Sequence, residues 1–415
     1  MRRPDLLPGA RWVPGTRSAF LLVLLAALLP LSFLLGAPAA VGAPAAVGAP
    51  AADSASDCAL RGTTGWTDEG HDTDFSVFQR PAGTIKAAMV FVDFPDAPAP
   101  SAESPADDAA QVTPGADWLW NASYGKAWLD ITQHRRWARM PHNSTDYGYE
   151  RGMTHEQHEA YLKDAVAAAD PDVDFSRYDM VYVVPTKNAS AVSYTPTYVY
   201  EPATAGVVAD GRRVKWAVTF GQDMWHWGKK LVAHETGHTF GLPDLYAFDK
   251  GDDDHRFVGG WDVMGLIGGA GPQYFAWHSW KLGWTDDSQV VCRASAGSDT
   301  VHLTAVEYGS GTKMAVIPTG PSTAYVVESR RAVQADTGLC AAGALVYKVD
   351  SSVKSGEGPI RVMDAKPSAT PASGCRPLDD GPFRAGETFT DSAAGVRIEV
   401  LSADGNGETV RITKS

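Results

Sequence analysis

From residue 84 to 94 the chain reads TIKAAMVFVDF, almost unbroken apolar and β-prone, the pattern of a strand buried on both faces. Residues 178–185 (YDMVYVVP) and 214–220 repeat it. Three helical stretches accompany these strands. Residues 154–170 open on Thr154 and Gln157, spaced as a capping box, and stop at Asp170 before Pro171. Residues 225–240 contain no proline and end at Gly241, and residues 273–282 end at Gly283. Strands mixed with helices predict an α+β (mixed α/β) domain over residues 80–285.

Beyond residue 286 the pattern changes. Seven short β-prone runs, at 301–306, 313–317, 324–328, 344–349, 360–363, 396–401 and 409–413, follow one another with no helix between them. Asp404-Gly405-Asn406-Gly407 is a hairpin signal. Residues 286–415 are expected to form an all-β, sandwich-like C-terminal domain.

The N-terminal forty residues read differently from both. Arg2, Arg3, Arg11 and Arg17 precede an apolar run over 19–36 and then Ala37-Pro38-Ala39, the order of a secretory signal over 1–39, with an uncleaved anchor as the alternative. A repeated Gly-Ala-Pro-Ala-Ala-Val follows, so residues 40–79 are expected to be a Pro/Ala-rich linker and N-terminal segment, with ordered structure starting near Thr84. Export makes the cysteine count informative. Cys58, Cys292, Cys340 and Cys375 are an even set, which favours two disulfides. Of three pairings the preferred one joins Cys340 to Cys375 and leaves Cys58 for Cys292. The competing reading makes Cys58 a thiol that caps a metal. A formal net charge of −13 argues against a nucleic-acid partner.

The chemistry concentrates in LVAHETGHTFGLPDLYAFD, residues 231–249. His234 and His238 are four apart on a predicted helix, so both imidazoles leave one face, at the spacing that grips one zinc ion. Glu235, beside the first, is placed to act as a general base. Gly241 turns the chain, Pro243 forbids further helix, and Asp244 returns as the expected third ligand. Met264, in Trp261-Asp262-Val263-Met264-Gly265, would form an apolar floor under the histidines. Other groups read as structural. His155 and His158 fit a solvated helix face, His226 and His278 packed groups, and the neighbouring Trp225, Trp227, Trp277 and Trp280 core. Asp249, Asp252, Asp253 and Asp254 could bind Ca2+, although a solvated acidic loop is the favoured reading.

The motif HETGHxxGLPD resembles that of the M6 (immune inhibitor A-like) family of secreted bacterial zinc metallopeptidases, in the metzincin clan, and is similar to that of snapalysin-type proteases. The likeness extends over residues 84–96, 261–264, 275–284 and 324–350, the last resembling the start of that family's C-terminal β region. It implies a metzincin-like catalytic domain and extracellular endopeptidase activity on protein or peptide substrates. It also implies one catalytic Zn2+. Cleavage of the signal read above would leave no stable membrane span. Several metzincins carry a tyrosine just after the Met-turn to stabilise the oxyanion. Gly265 and Leu266 stand there in this chain, and Tyr274 is the candidate for that role. The alternative function is a non-enzymatic adhesion or carbohydrate-binding protein with a closed, structural zinc site, whose fourth ligand would be His255.

Overall fold

The computed structural model describes residues 53–415 except Lys250 and Asp252. The expected signal and most of the Pro/Ala tether therefore lie outside the described residues. The first sheet contains β1 (Gly83–Asp93), β2 (Ala127–Arg139), β3 (Met180–Pro185), β4 (Thr197–Val199) and β7 (Trp216–Thr219), in the order β2-β1-β3-β7-β4. Its first four strands are parallel, and β4 runs antiparallel on β7 at one edge. A two-stranded ribbon, β5 (Val207–Ala209) and β6 (Arg212–Val214), stands apart.

Helices cover both faces of this sheet, which explains the continuous apolar run in β1. Ile85, Ala87, Met89 and Phe91 pack with α1 (Pro105–Val112), α2 (Gly115–Ala122) and α5 (Lys229–Thr239). The alternate Ala88, Val90 and Val92 pack with Tyr161, Leu162, Ala165 and Val166 of α3 (His155–Ala169). The capping box at Thr154 and Gln157 forms as read. The predicted helix over 225–240 is two helices, α4 (Met224–Trp227) and α5, because Gly228 takes φ 59° between them. The third shortens to α6 (Ala276–Lys281), since Phe275, at φ −52° and ψ 149°, is not helical.

All seven C-terminal β-prone runs lie on strands. β8 (Val290–Cys292), β10 (Met314–Pro318), β11 (Thr323–Arg330), β12 (Gly343–Asp350) and β13 (Ile360–Met363) form one sheet. β9 (Gly297–Thr304), β14 (Thr388–Asp391), β15 (Val396–Ala403) and β16 (Gly407–Lys414) form another. The two sheets enclose Leu303, Ala315, Val327, Val346, Ile398 and Val410. The opposite side of the first of these two sheets, including Met314, Val316, Val326 and Tyr347, joins Trp261, Phe275 and Trp277 in the core shared with α5. That sheet is thus buried on both faces, and the core runs through position 285 without a gap.

Order begins well before Thr84. Cys58 and Leu60 are in the core, Trp277 Nε1 donates to Glu69 O at 3.1 Å, and Trp284 Nε1 donates to Pro81 O at 2.8 Å. Hydrophobic periodicity does not report this segment, because it is held by covalent and polar ties instead. The disulfides join Cys58 to Cys292 and Cys340 to Cys375, and no cysteine is free. The metal-capping role for Cys58 is therefore corrected, since its sulfur is already bonded. Among the described residues no helix is long and apolar enough to cross a membrane.

Candidate metal centre

His234 and His238 leave one face of α5, and each Nδ1 is committed to a backbone carbonyl. His234 Nδ1 donates to Val263 O at 2.9 Å and His238 Nδ1 to Leu242 O at 2.8 Å. Each Nε2 is thereby left to face the cleft, free to take a metal ion or a proton. Gly241, at φ 92°, reverses the chain, and Asp244 Oδ1 arrives 3.3 Å from His234 Nε2 and 3.2 Å from His238 Nε2. That oxygen is shut from solvent and has no hydrogen-bond partner. Two imidazole nitrogens and a carboxylate oxygen converging on one point, with no other polar partner for that oxygen, fit a cation, whether a shared proton or a metal ion. Burial alone would lower His238, but Asp244 raises it to about 9. Burial would raise Asp244, yet His238 and His234 hold its carboxyl well below the usual carboxylate range. A metal ion would replace the proton these groups share.

Asp244 is fixed from a distance. Asp244 N donates to Ser355 Oγ at 2.9 Å, and Gly356 N donates to Asp244 O at 3.1 Å, both from the loop between β12 and β13. Met264 packs against α5 at Gly237. A Cβ at position 237 would stand 2.8 Å from Met264 Sδ, so Gly237 lets the thioether approach the helix. Asp262 braces this turn: Oδ1 accepts from Met264 N at 2.8 Å, and Oδ2 accepts from Phe275 N at 2.7 Å and His278 Nδ1 at 2.8 Å. Arg330 of β11 donates to the carbonyls of Trp261, Gly271 and Gln273.

Glu235 is 6% exposed and faces the same cleft. Burial pushes its carboxyl up to about 7 against the pull of the two histidines. Thr197 on the edge strand β4 donates to Oε2 at 2.7 Å and aims it. The cleft has a volume of about 1160 Å³.

Several sequence-based assignments need correction. Tyr274 is fully buried, its hydroxyl donates to Ala233 O at 2.8 Å, and it does not line the cleft, so it is not placed to meet an oxyanion. Tyr246, which no motif in the sequence singles out, lines the cleft with its ring stacked on His234 at 6.4 Å. Burial, then the charges of Asp244 and Glu235, keep its hydroxyl protonated. The only available signal is a tyrosine two residues past Asp244. His158 is buried and bonded to Thr219 Oγ1 at 3.0 Å, and His155 stacks on Tyr198 at the cleft, so they do not form a solvated face. His226 is exposed rather than packed, while Trp227 lines the cleft. His255 spends Nδ1 on Gly265 O at 3.0 Å, and among the described residues the metal-capable group is His234, His238 and Asp244 only. In the acidic loop Asp249 pairs with Arg256 at 2.5 Å, Asp253 accepts from His255 N, and Asp252 lies outside the described residues.

His278 supplies a testable consequence. It lies between Asp262 Oδ2 (2.8 Å) and Glu69 Oε1 (3.2 Å), all three side chains fully buried. Burial disfavours its charge, but Glu69 and Asp262 raise it to about 10. The folded-state value lies above the unfolded one, near 6.5. Its stabilisation is therefore full below pH 6.5 and is lost as pH rises toward 10. Removing the cation leaves two buried carboxylates uncompensated, which costs about 3–5 kcal/mol. Denaturant unfolding of His278→Ala against wild type is expected to show that deficit at pH 6 and a smaller one at pH 9.5. Neither a family model nor a curated protein matches the chain, so the chemistry of this centre is read from its own residues.

Proposed function

We propose that the chain is a secreted zinc endopeptidase, most like the M6 metallopeptidases in its HETGHxxGLPD segment. The observation that carries this reading is the unpartnered Asp244 oxygen set between two imidazole nitrogens at the head of a large cleft, with a buried carboxylate beside it. Held by His234, His238 and Asp244, a zinc ion supplies a Lewis acid for a peptide carbonyl and acidifies water.

The residues of the chain account for the rest. Glu235, oriented by Thr197, takes a proton from the attacking water as the carbon–oxygen bond forms. It returns that proton to the amine nitrogen as the carbon–nitrogen bond breaks. Tyr246 keeps its proton and can donate a hydrogen bond to the carbonyl oxygen as charge develops there. The outer edge of β4, which closes its sheet, offers backbone groups for an extended peptide to pair with. Two disulfides support an oxidising, extracellular location. The adhesion reading would need a closed zinc site, and the metal-capable cluster has three members and no fourth protein ligand among the described residues.

Incubation of the purified protein with an unfolded protein substrate tests the reading. Cleavage is expected, with loss on chelation and recovery on adding zinc. Cleavage indifferent to the chelator would overturn it.

A further inference from the structure

Glu69 is fully buried, and its Oε2 has no hydrogen-bond partner. A carboxylate kept from water with one oxygen unpaired is costly, so its placement calls for a reason. Glu69 is also held firmly. Its carbonyl accepts from Trp277 Nε1 at 3.1 Å. The next residue, Gly70, lies so close to the backbone of Gly62 that a Cβ there would stand 2.0 Å from Gly62 N. The Cys58–Cys292 disulfide ties the start of this segment to β8.

Residues 58–82 meet the candidate metal centre at three places. Gln79 N donates to Thr239 O at 2.7 Å, one of the carbonyls that the end of α5 leaves open. Thr73 and Phe78 pack against Gly241, the turn that brings Asp244 back, where a Cβ would be 3.1 Å and 3.3 Å from them. The third place is Glu69 itself. Its Oε1 accepts from His278 Nε2 at 3.2 Å, and His278 Nδ1 donates to Asp262 Oδ2 at 2.8 Å. Asp262 Oδ1 then accepts from Met264 N at 2.8 Å. Between Asp262 and Met264 stands Val263, whose carbonyl receives His234 Nδ1 at 2.9 Å. Four hydrogen bonds thus lead from Glu69 to the His234 imidazole. The group that receives the far nitrogen of a metal-binding imidazole fixes the direction of the ring. Here that group is a backbone carbonyl, and the buried Glu69–His278–Asp262 row fixes the carbonyl.

We infer that Glu69 is a positioning residue that sets the direction of the His234 imidazole through His278 and Asp262, which makes residues 58–82 a working part of the metal centre rather than a linker ahead of it. This rests on the zinc site of the peptidase reading and not on its chemistry, so the experiment reads metal without substrate. Zinc dissociation constants are measured by competition with a chromophoric chelator, and visible absorption is recorded with cobalt(II) in place of zinc. The proteins are wild type, Glu69→Ala, Glu69→Gln and Val410→Ala. Val410 is fully buried between the two C-terminal sheets, and its truncation supplies a loss of stability away from the site. Glu69→Ala is expected to bind zinc ~10- to 100-fold more weakly, with an altered cobalt spectrum. Glu69→Gln, whose amide can still hydrogen-bond His278, should return to within a few-fold of wild type. Val410→Ala should melt earlier and keep the wild-type affinity and spectrum. Wild-type affinity and spectrum in folded Glu69→Ala overturn the inference, as does equal weakening in Val410→Ala. If Glu69→Ala does not fold, Glu69→Asp, whose carboxylate stops one methylene short of His278, is expected to show the weakening, and wild-type affinity there overturns the inference. Weakening by Glu69→Ala in a protein that cleaves no substrate upholds the inference and sinks the peptidase reading. Wild type that takes up no zinc sinks both.

Discussion

Glu235→Gln is expected to keep one zinc per chain and to lose ~100- to 10,000-fold in kcat/KM. The substitution is nearly isosteric, and Thr197 Oγ1, 2.7 Å from Oε2, can still donate to an amide oxygen. Neither histidine nor Asp244 is touched, so metal binding should survive. The lost property is the capacity to take and return a proton. Burial leaves this carboxyl at about 7, close to where a group that must do both is most useful. Activity within a few-fold of wild type would remove Glu235 from the mechanism.

Asp244→Ala is expected to lose both zinc and activity. The substitution removes the only carboxylate among three converging groups and leaves two imidazoles and water. Asp244→His should restore zinc binding, because imidazole is a competent ligand. A residue acting only behind the ligands would lose ~10- to 100-fold, and histidine would not rescue it. Dialysis followed by a metal count separates the outcomes. Stoichiometric zinc retained by Asp244→Ala would show that the ligand set is wrong.

The proposed ligands are legible in the sequence because helix geometry and one glycine turn put them within eleven residues, and local pattern is what a sequence shows best. The buried strands and the C-terminal β runs are legible for the same reason. The supports are not. Ser355 holds Asp244 from 111 residues away, with Gly356 beside it, and Glu69 reaches His278 across 209. Residues 53–82 lack periodicity because a disulfide and side-chain bonds to their backbone hold them, rather than a repeating apolar face. The helices α1 and α2 escape the pattern because Thr113 and Pro114 interrupt what would otherwise be one helix, leaving pieces of eight residues each. The edge strand β2 escapes it because most of its side chains are partly buried or exposed and many are polar. Tyr274 is a candidate only by its nearness in sequence to Met264. The turn before α6 sends it under the helix, and Tyr246 occupies the cleft.

The most direct measurement titrates zinc into the chelated protein while bound metal and cleavage of an unfolded protein substrate are followed on the same sample. Cleavage should rise in step with bound zinc and level off at one equivalent per chain, and zinc-loaded Glu235→Gln should remain silent. Zinc that binds at one equivalent with no cleavage, or cleavage already complete before zinc is added, would contradict the account.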